Sequence, residues 1–124
     1  MKDKRILVVD DEESIRVLLE MIIKEKLHPD ITIVHAVHGG HAWEIVSNLD
    51  QPFDLVISDV NMPRMNGVEL IEQIQTAYPG SQAILMSGNP EPKGHMANAF
   101  MLKPFGSMEV QVKVVKGLFP MQAI

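Results

Sequence analysis

Four short apolar runs in this chain each end on a polar side chain that phosphoryl-transfer chemistry can use. Ile6-Leu7-Val8-Val9 leads into Asp10-Asp11, and Leu55-Val56-Ile57-Ser58 into Asp59. Ile84-Leu85-Met86 leads into Ser87, and Phe100-Met101-Leu102 into Lys103-Pro104. If the runs are parallel strands of one sheet, their carboxyl ends open on a common edge, where open α/β sheets bind ligands. Three carboxylates, a hydroxyl and an ammonium then share one crevice. Carboxylates crowded in this way repel one another and resist desolvation unless a cation lies among them. The pattern predicts a divalent-metal site with one carboxylate left to react.

The segments between these runs have to bring them together. Continuous apolar runs alternate with stretches of helical period, the pattern of βα units around a parallel sheet covered on both faces. After the first strand, Ile15, Leu18, Leu19, Ile22 and Ile23 fall on one helical face, and Arg16–Glu20 and Glu20–Lys24 are spaced as i,i+4 pairs on the other. His28-Pro29-Asp30 ends that helix. Ile31 to His35 reads as the second strand. A helix from about Gly40 to Leu49 turns Ala42, Ile45, Val46 and Leu49 inward, and Asp50-Gln51-Pro52 breaks it. Phe53 to Ser58 is the third strand. Asn66 followed by Glu69 is a capping box that opens a helix carrying Val68, Leu70, Ile71 and Ile74, closed by Tyr78-Pro79-Gly80. Gln82 to Met86 is the fourth strand and Ala99 to Leu102 the fifth. Ser107 caps a last helix through Val110, Val114, Val115 and Leu118.

The connection from Gly88 to Asn98 breaks this rhythm. It has roughly the minimum length for a crossover between parallel strands. Pro90, Pro92, Gly88 and Gly94 leave little room in it for a helix. The spacing predicts a fourth helix of a turn or so, or none.

At 124 residues the chain reads as one domain, with its core over about 4–119. It has no cysteine, which excludes a disulfide framework and thiol chemistry and fits a reducing cytoplasm. No run is long enough to cross a membrane, and the apolar stretch behind Lys4-Arg5 stops too soon, at a pair of acids, for a signal peptide. A net charge of −5 without a basic block disfavours nucleic acid as a direct partner and suits a divalent cation or a basic protein surface. His38 and His41 are three apart at a helix start but lie outside the carboxylate crevice, and they read as surface residues. Trp43 and most methionines read as packing, with Met96 and Met101 as adaptable contact surface.

Four elements in order resemble the CheY-like receiver domain of two-component response regulators over nearly the whole chain: Val9-Asp10-Asp11-Glu12, then Ser58-Asp59-Val60-Asn61-Met62-Pro63-Arg64-Met65-Asn66-Gly67, then Met86-Ser87-Gly88, then Lys103-Pro104-Phe105. The resemblance implies the flavodoxin-like doubly wound fold, a five-stranded parallel sheet of order 2-1-3-4-5. It implies that Asp59 accepts a phosphoryl group from a phosphohistidine on a sensor histidine kinase or histidine phosphotransfer protein. It further implies Mg²⁺, or Mn²⁺, held by Asp11, Asp59 and the backbone carbonyl of Asn61, with Asp10 helping through water. Lys103 would stabilise the transferred group and Ser87 would hydrogen-bond it. Phe100 stands at the family's switch position, and a cis peptide is expected at Lys103-Pro104. The domain would catalyse its own phosphorylation, with dephosphorylation a further expectation, and would switch a surface read by an effector that the sequence does not name.

Taken singly, each element has a plainer reading. Paired acids after a strand commonly favour a helix N-terminus, Asp59 suits a turn, Ser87-Gly88 suits a turn, and Lys103 suits a solvated charge. Their joint placement carries the functional reading. Two other classes stand beside it. One is an interaction module with a vestigial site, argued by the curtailed fourth helix. The other is a metal-dependent phosphatase of the haloacid dehalogenase kind, which wants an Asp two positions after the nucleophile, where Asn61 stands.

Overall fold

The computed structural model describes residues 4–63 and 65–103. Strand β1 spans Arg5–Val9, β2 Thr32–Ala36, β3 Leu55–Asp59, β4 Gln82–Ser87 and β5 Ala99–Leu102. Helix α1 spans Glu13–Lys26, α2 Gly39–Ser47 and α3 Gly67–Ala77. The five strands form one parallel sheet of order β2-β1-β3-β4-β5, as the resemblance implies. Strand limits differ from the sequence reading by one or two residues. Phe53, for example, is buried but precedes the ladder, whose first pair on β3 is Ile6 with Leu55.

Continuous apolar strands serve two faces at once. On one face Ile6, Val8, Leu55, Ile57, Ile84 and Met86 pack with Leu19 and Ile23 of α1. On the other, Leu7, Val9 and Val56 pack with Ala42 and Val46 of α2 and with Leu70 and Ile74 of α3. Each fully buried aliphatic side chain is worth roughly 1.5–3 kcal/mol. The sheet is therefore a stiff platform for whatever its carboxyl edge carries. Met101 belongs to this core rather than to a contact surface, because alternation along β5 turns it toward Ile84 and Met86; Met96 remains exposed.

The capping box predicted at Asn66 is realised, and α2 has a cap that the sequence reading did not assign. Asn66 Oδ1 accepts from the Glu69 amide at 2.9 Å and Glu69 Oε1 accepts from the Asn66 amide, so the capping box starts α3. His38 is the N-cap of α2: its Nδ1 accepts from the His41 amide, while His41 Nδ1 accepts from the Val37 amide. Both histidines thus serve the helix start. Glu20 and Lys24 pair at 3.5 Å. Arg16 does not join them: its guanidinium turns inward, onto the Asp10 carbonyl and His35.

No helix interrupts residues 88–98. Gly94 sits at φ 72°, a left-handed turn that suits glycine. His95 Nε2 meets Glu91 at 2.6 Å and its Nδ1 accepts from the Ala97 amide, so one imidazole ties both halves of the connection. Asn98 anchors the far end, with its side-chain oxygen accepting from the Ala83 amide and from Gln75 of α3. Arg64, the Lys103-Pro104 peptide, Phe105 and the helix expected from Ser107 involve residues outside those described.

Candidate functional site

Asp10 follows β1 directly. Its amide donates to the Ala36 carbonyl at 3.1 Å, which extends the ladder one step and leaves the side chain fully buried. One carboxylate oxygen accepts from the Glu12 amide at 2.8 Å and the other from Lys103 Nζ at 2.6 Å. Asp11 and Glu12 follow in the open. Asp59 closes β3 opposite Met86 and is buried, with Oδ1 3.4 Å from Lys103 Nζ. Ser87 closes β4. Its hydroxyl oxygen accepts from the Asn89 amide at 3.0 Å and from Asn61 Nδ2 at 3.4 Å, and among the described residues its own proton has no acceptor. The Lys103 amide donates to the Ser87 carbonyl, so the ammonium is tied to β4 at its backbone.

The groups perturb one another as their spacing requires. Burial pushes the Asp59 carboxyl above its usual range; the Lys103 ammonium opposes the shift and the Asp10 carboxylate adds to it. Burial alone would lower Lys103, but the hydrogen bond and charge of Asp10, with the charge of Asp59, hold the ammonium above its usual range. Lys103 is therefore a firmly protonated cation between two carboxylates.

A cleft of about 530 Å³ opens beside this pair, lined by Asp11, Glu12, Asp59, Asn61, Gly88 and Lys103. Carboxylate oxygens of Asp10, Asp11 and Glu12 lie within 4.8 Å of one another. The donors are hard oxygens with no sulfur among them, and ionised Asp59 is disfavoured by burial. A small hard dication such as Mg²⁺ or Mn²⁺ fits such a set. Because both oxygens of Asp10 already have protein partners, Asp11, Glu12 and Asp59 are the carboxylates best able to take one.

The fold therefore brings together Asp10, Asp11, Asp59, Asn61, Ser87 and Lys103. Phe100 lies apart from the cleft, half-buried with Val60, Val68 and Ala97 against Ile71, Ala83 and Leu85. Three features escape the sequence reading. Glu12 joins the carboxylate cluster; it stands in the quoted Val9-Asp10-Asp11-Glu12 motif without a role. Arg16 and His35 reach the site through Asp10. Gly67 abuts it: a Cβ there would collide with the Asp59 carbonyl oxygen, so the start of α3 against the end of β3 strongly favours glycine at this position.

Residues 6–115 match the family model of the response regulator receiver domain. Among curated proteins, the chain is 38% identical over 86 residues to the 3',5'-cyclic-nucleotide phosphodiesterase regA of Dictyostelium discoideum, a match covering 68% of this chain and 10% of that protein. It is 30% identical over 116 residues to the response regulator GtcR of Aneurinibacillus migulanus, covering 90% of this chain and 46% of that one. The chain thus spans less than half the length of these two relatives. Among solved structures, the response regulator TrrA of Thermotoga maritima, in complex with Mg²⁺ and BeF, superimposes with a TM-score of 0.75 at 32% identity, covering 93% of this chain and 98% of that one.

Proposed function

We propose that this chain, which belongs to the response regulator receiver domain family, works in two-component signalling by accepting a phosphoryl group on Asp59. The observation that carries the proposal is the pairing of a buried carboxylate with a fixed ammonium, Asp59 Oδ1 with Lys103 Nζ at 3.4 Å, at the wall of an oxygen-lined cleft. An Asp59 oxygen attacks the phosphorus of a donor phosphohistidine or acyl phosphate. The new O–P bond forms as the bond to the leaving imidazole or carboxylate breaks, and the leaving group takes any proton it needs from solvent. The chain supplies position and charge. Lys103 neutralises oxygens of the transferred group, and the Ser87 hydroxyl has a proton to donate to one of them. Asp11, Asp59 and the Asn61 carbonyl would hold Mg²⁺ or Mn²⁺, with Asp10 acting through water. The bound dication would offset the repulsion between the incoming anion and the carboxylates.

The donor would be a sensor histidine kinase or histidine phosphotransfer protein in the cytoplasm. The readout would be a surface coupled to Ser87 and Phe100 and read by an effector protein. Acetyl phosphate with Mg²⁺ should add one phosphoryl mass to the intact chain and none to Asp59→Ala. Equal labelling with EDTA in place of Mg²⁺, or of Asp59→Ala, would refute the proposal.

A further inference from the structure

We infer that Arg16, His35 and Glu20 form a positioning unit that fixes the Asp10–Asp11 peptide and thereby sets the affinity of the carboxylate cleft for a divalent cation. The inference rests on the functional reading above.

Arg16 lies in the first turns of α1 and is almost wholly buried, at 9% exposure. A guanidinium is costly to bury unless its donors are used. Here one terminal nitrogen donates to the Asp10 carbonyl at 2.7 Å and Nε donates to His35 Nδ1 at 3.3 Å. His35 belongs to β2, opposite Val8 in the register, and its Nε2 meets Glu20 Oε1 at 2.6 Å. Because Nδ1 accepts from Arg16, the neutral ring carries its proton on Nε2 and donates it to Glu20. That hydrogen bond is the chief reason the Glu20 carboxyl lies below its usual range. The imidazole is thus held at both nitrogens, and the planar guanidinium is held at two points.

The position of the accepting carbonyl gives the unit its consequence. The Asp10 carbonyl is half of the peptide joining Asp10 to Asp11, and the Asp10 amide is already bound to Ala36. Both peptide planes flanking Asp10 are therefore fixed, one by β2 and one by Arg16. Rotating the second plane would redirect the chain at Asp11 and loosen the Asp10 carboxylate from the Glu12 amide. Ligand geometry commonly depends on such outer partners, whose loss costs about 10–100-fold in metal affinity. A plainer role for Arg16, satisfying a buried carbonyl at a strand end, needs only the contact with Asp10. It assigns His35 nothing, and that difference decides the test.

Mg²⁺ affinity of the full chain is measured by calorimetry for wild type, His35→Leu and His35→Asn, at a temperature where amide spectra show each variant folded. The leucine removes the acceptor for Arg16; the asparagine restores one, since its Oδ1 stands close to the place of Nδ1. His35→Leu should bind Mg²⁺ about tenfold more weakly and His35→Asn within about threefold of wild type. In the metal-free wild type, a ¹⁵N–¹⁵N coupling across the Arg16–His35 hydrogen bond should be seen. Wild-type affinity in His35→Leu, equal losses in both variants, or absence of the coupling would overturn the positioning unit while leaving Asp59 as acceptor. Failure of the wild type itself to bind Mg²⁺ would overturn both.

Discussion

Replacing Lys103 by methionine removes a cation from between two buried carboxylates while keeping much of its stem. The ammonium lies 2.6 Å from Asp10 and 3.4 Å from Asp59, and the three side chains are 12%, 0% and 8% exposed. Unit charges about 4 Å apart attract by about 4 kcal/mol at an effective dielectric near 20, most of it offset by desolvation. Deleting one partner leaves that desolvation unopposed, so the metal-free variant should lose about 3–5 kcal/mol at pH 7. In urea the midpoint should fall by about 2 M. The sign of the pH dependence follows from Asp59. Its carboxyl is already raised, chiefly by burial, and rises further without Lys103. A carboxyl raised in the folded state weakens the fold when ionised, and this penalty disappears as the pH falls below the carboxylate range. The deficit should therefore be largest at neutral pH and shrink in acid. Lys103 is itself raised, so its own contribution holds across that range and is lost only in strong alkali. Mg²⁺ should restore part of the stability by supplying positive charge at the same cleft. A metal-free Lys103→Met chain within about 0.5 kcal/mol of wild type at pH 7, or a deficit unchanged in acid, would refute this electrostatic account.

Asp59→Asn should raise the Tm of the metal-free chain at pH 7 by roughly 4 °C, because it removes a buried charge, and the gain should vanish below the carboxylate range. Calorimetric scans in EDTA at pH 7 and in acid check it. Gly67→Ala should cost about 1–3 kcal/mol and slow acetyl phosphate labelling, since its Cβ would collide with the Asp59 carbonyl oxygen. Unchanged urea melts and labelling rates would contradict that. Asn98→Ala should leave the Ala83 amide without its 2.8 Å side-chain acceptor, cost about 1–3 kcal/mol and speed hydrogen exchange at Ala83, with labelling of Asp59 preserved.

Much of this architecture is legible from particular residues. Ile6 to Val9 and Leu55 to Ile57 are apolar at every position, which only a strand covered on both faces requires, and so the parallel sheet follows. Asn66 and Glu69 announce the start of α3, and Pro90 and Pro92 announce the missing helix, through local chemistry alone. Contacts between distant segments stay hidden. Arg16 and Glu20 have the spacing of a helical pair, yet His35 approaches from β2, accepting from Arg16 and donating to Glu20. Gly67 looks like an ordinary helix-start residue, and only the packing of α3 against β3 gives its missing Cβ a meaning. His95 binds Glu91 four residues away without a helix between them, because the turn at Gly94 supplies the approach. The candidate site was visible as a set of strand-end residues. The division of labour between buried Asp10, held by Lys103, and exposed Asp11 required the geometry.

The most direct measurement reduces the acetyl phosphate-treated chain with borohydride and maps its peptides by mass. An acyl phosphate on an aspartate is converted to homoserine, whereas a phosphoserine and an unmodified carboxylate are left unchanged. Homoserine is expected at position 59 alone, formed with Mg²⁺ and absent with EDTA. Homoserine at position 10 or 11, or phosphate retained on Ser87 with Asp59 intact, would contradict it.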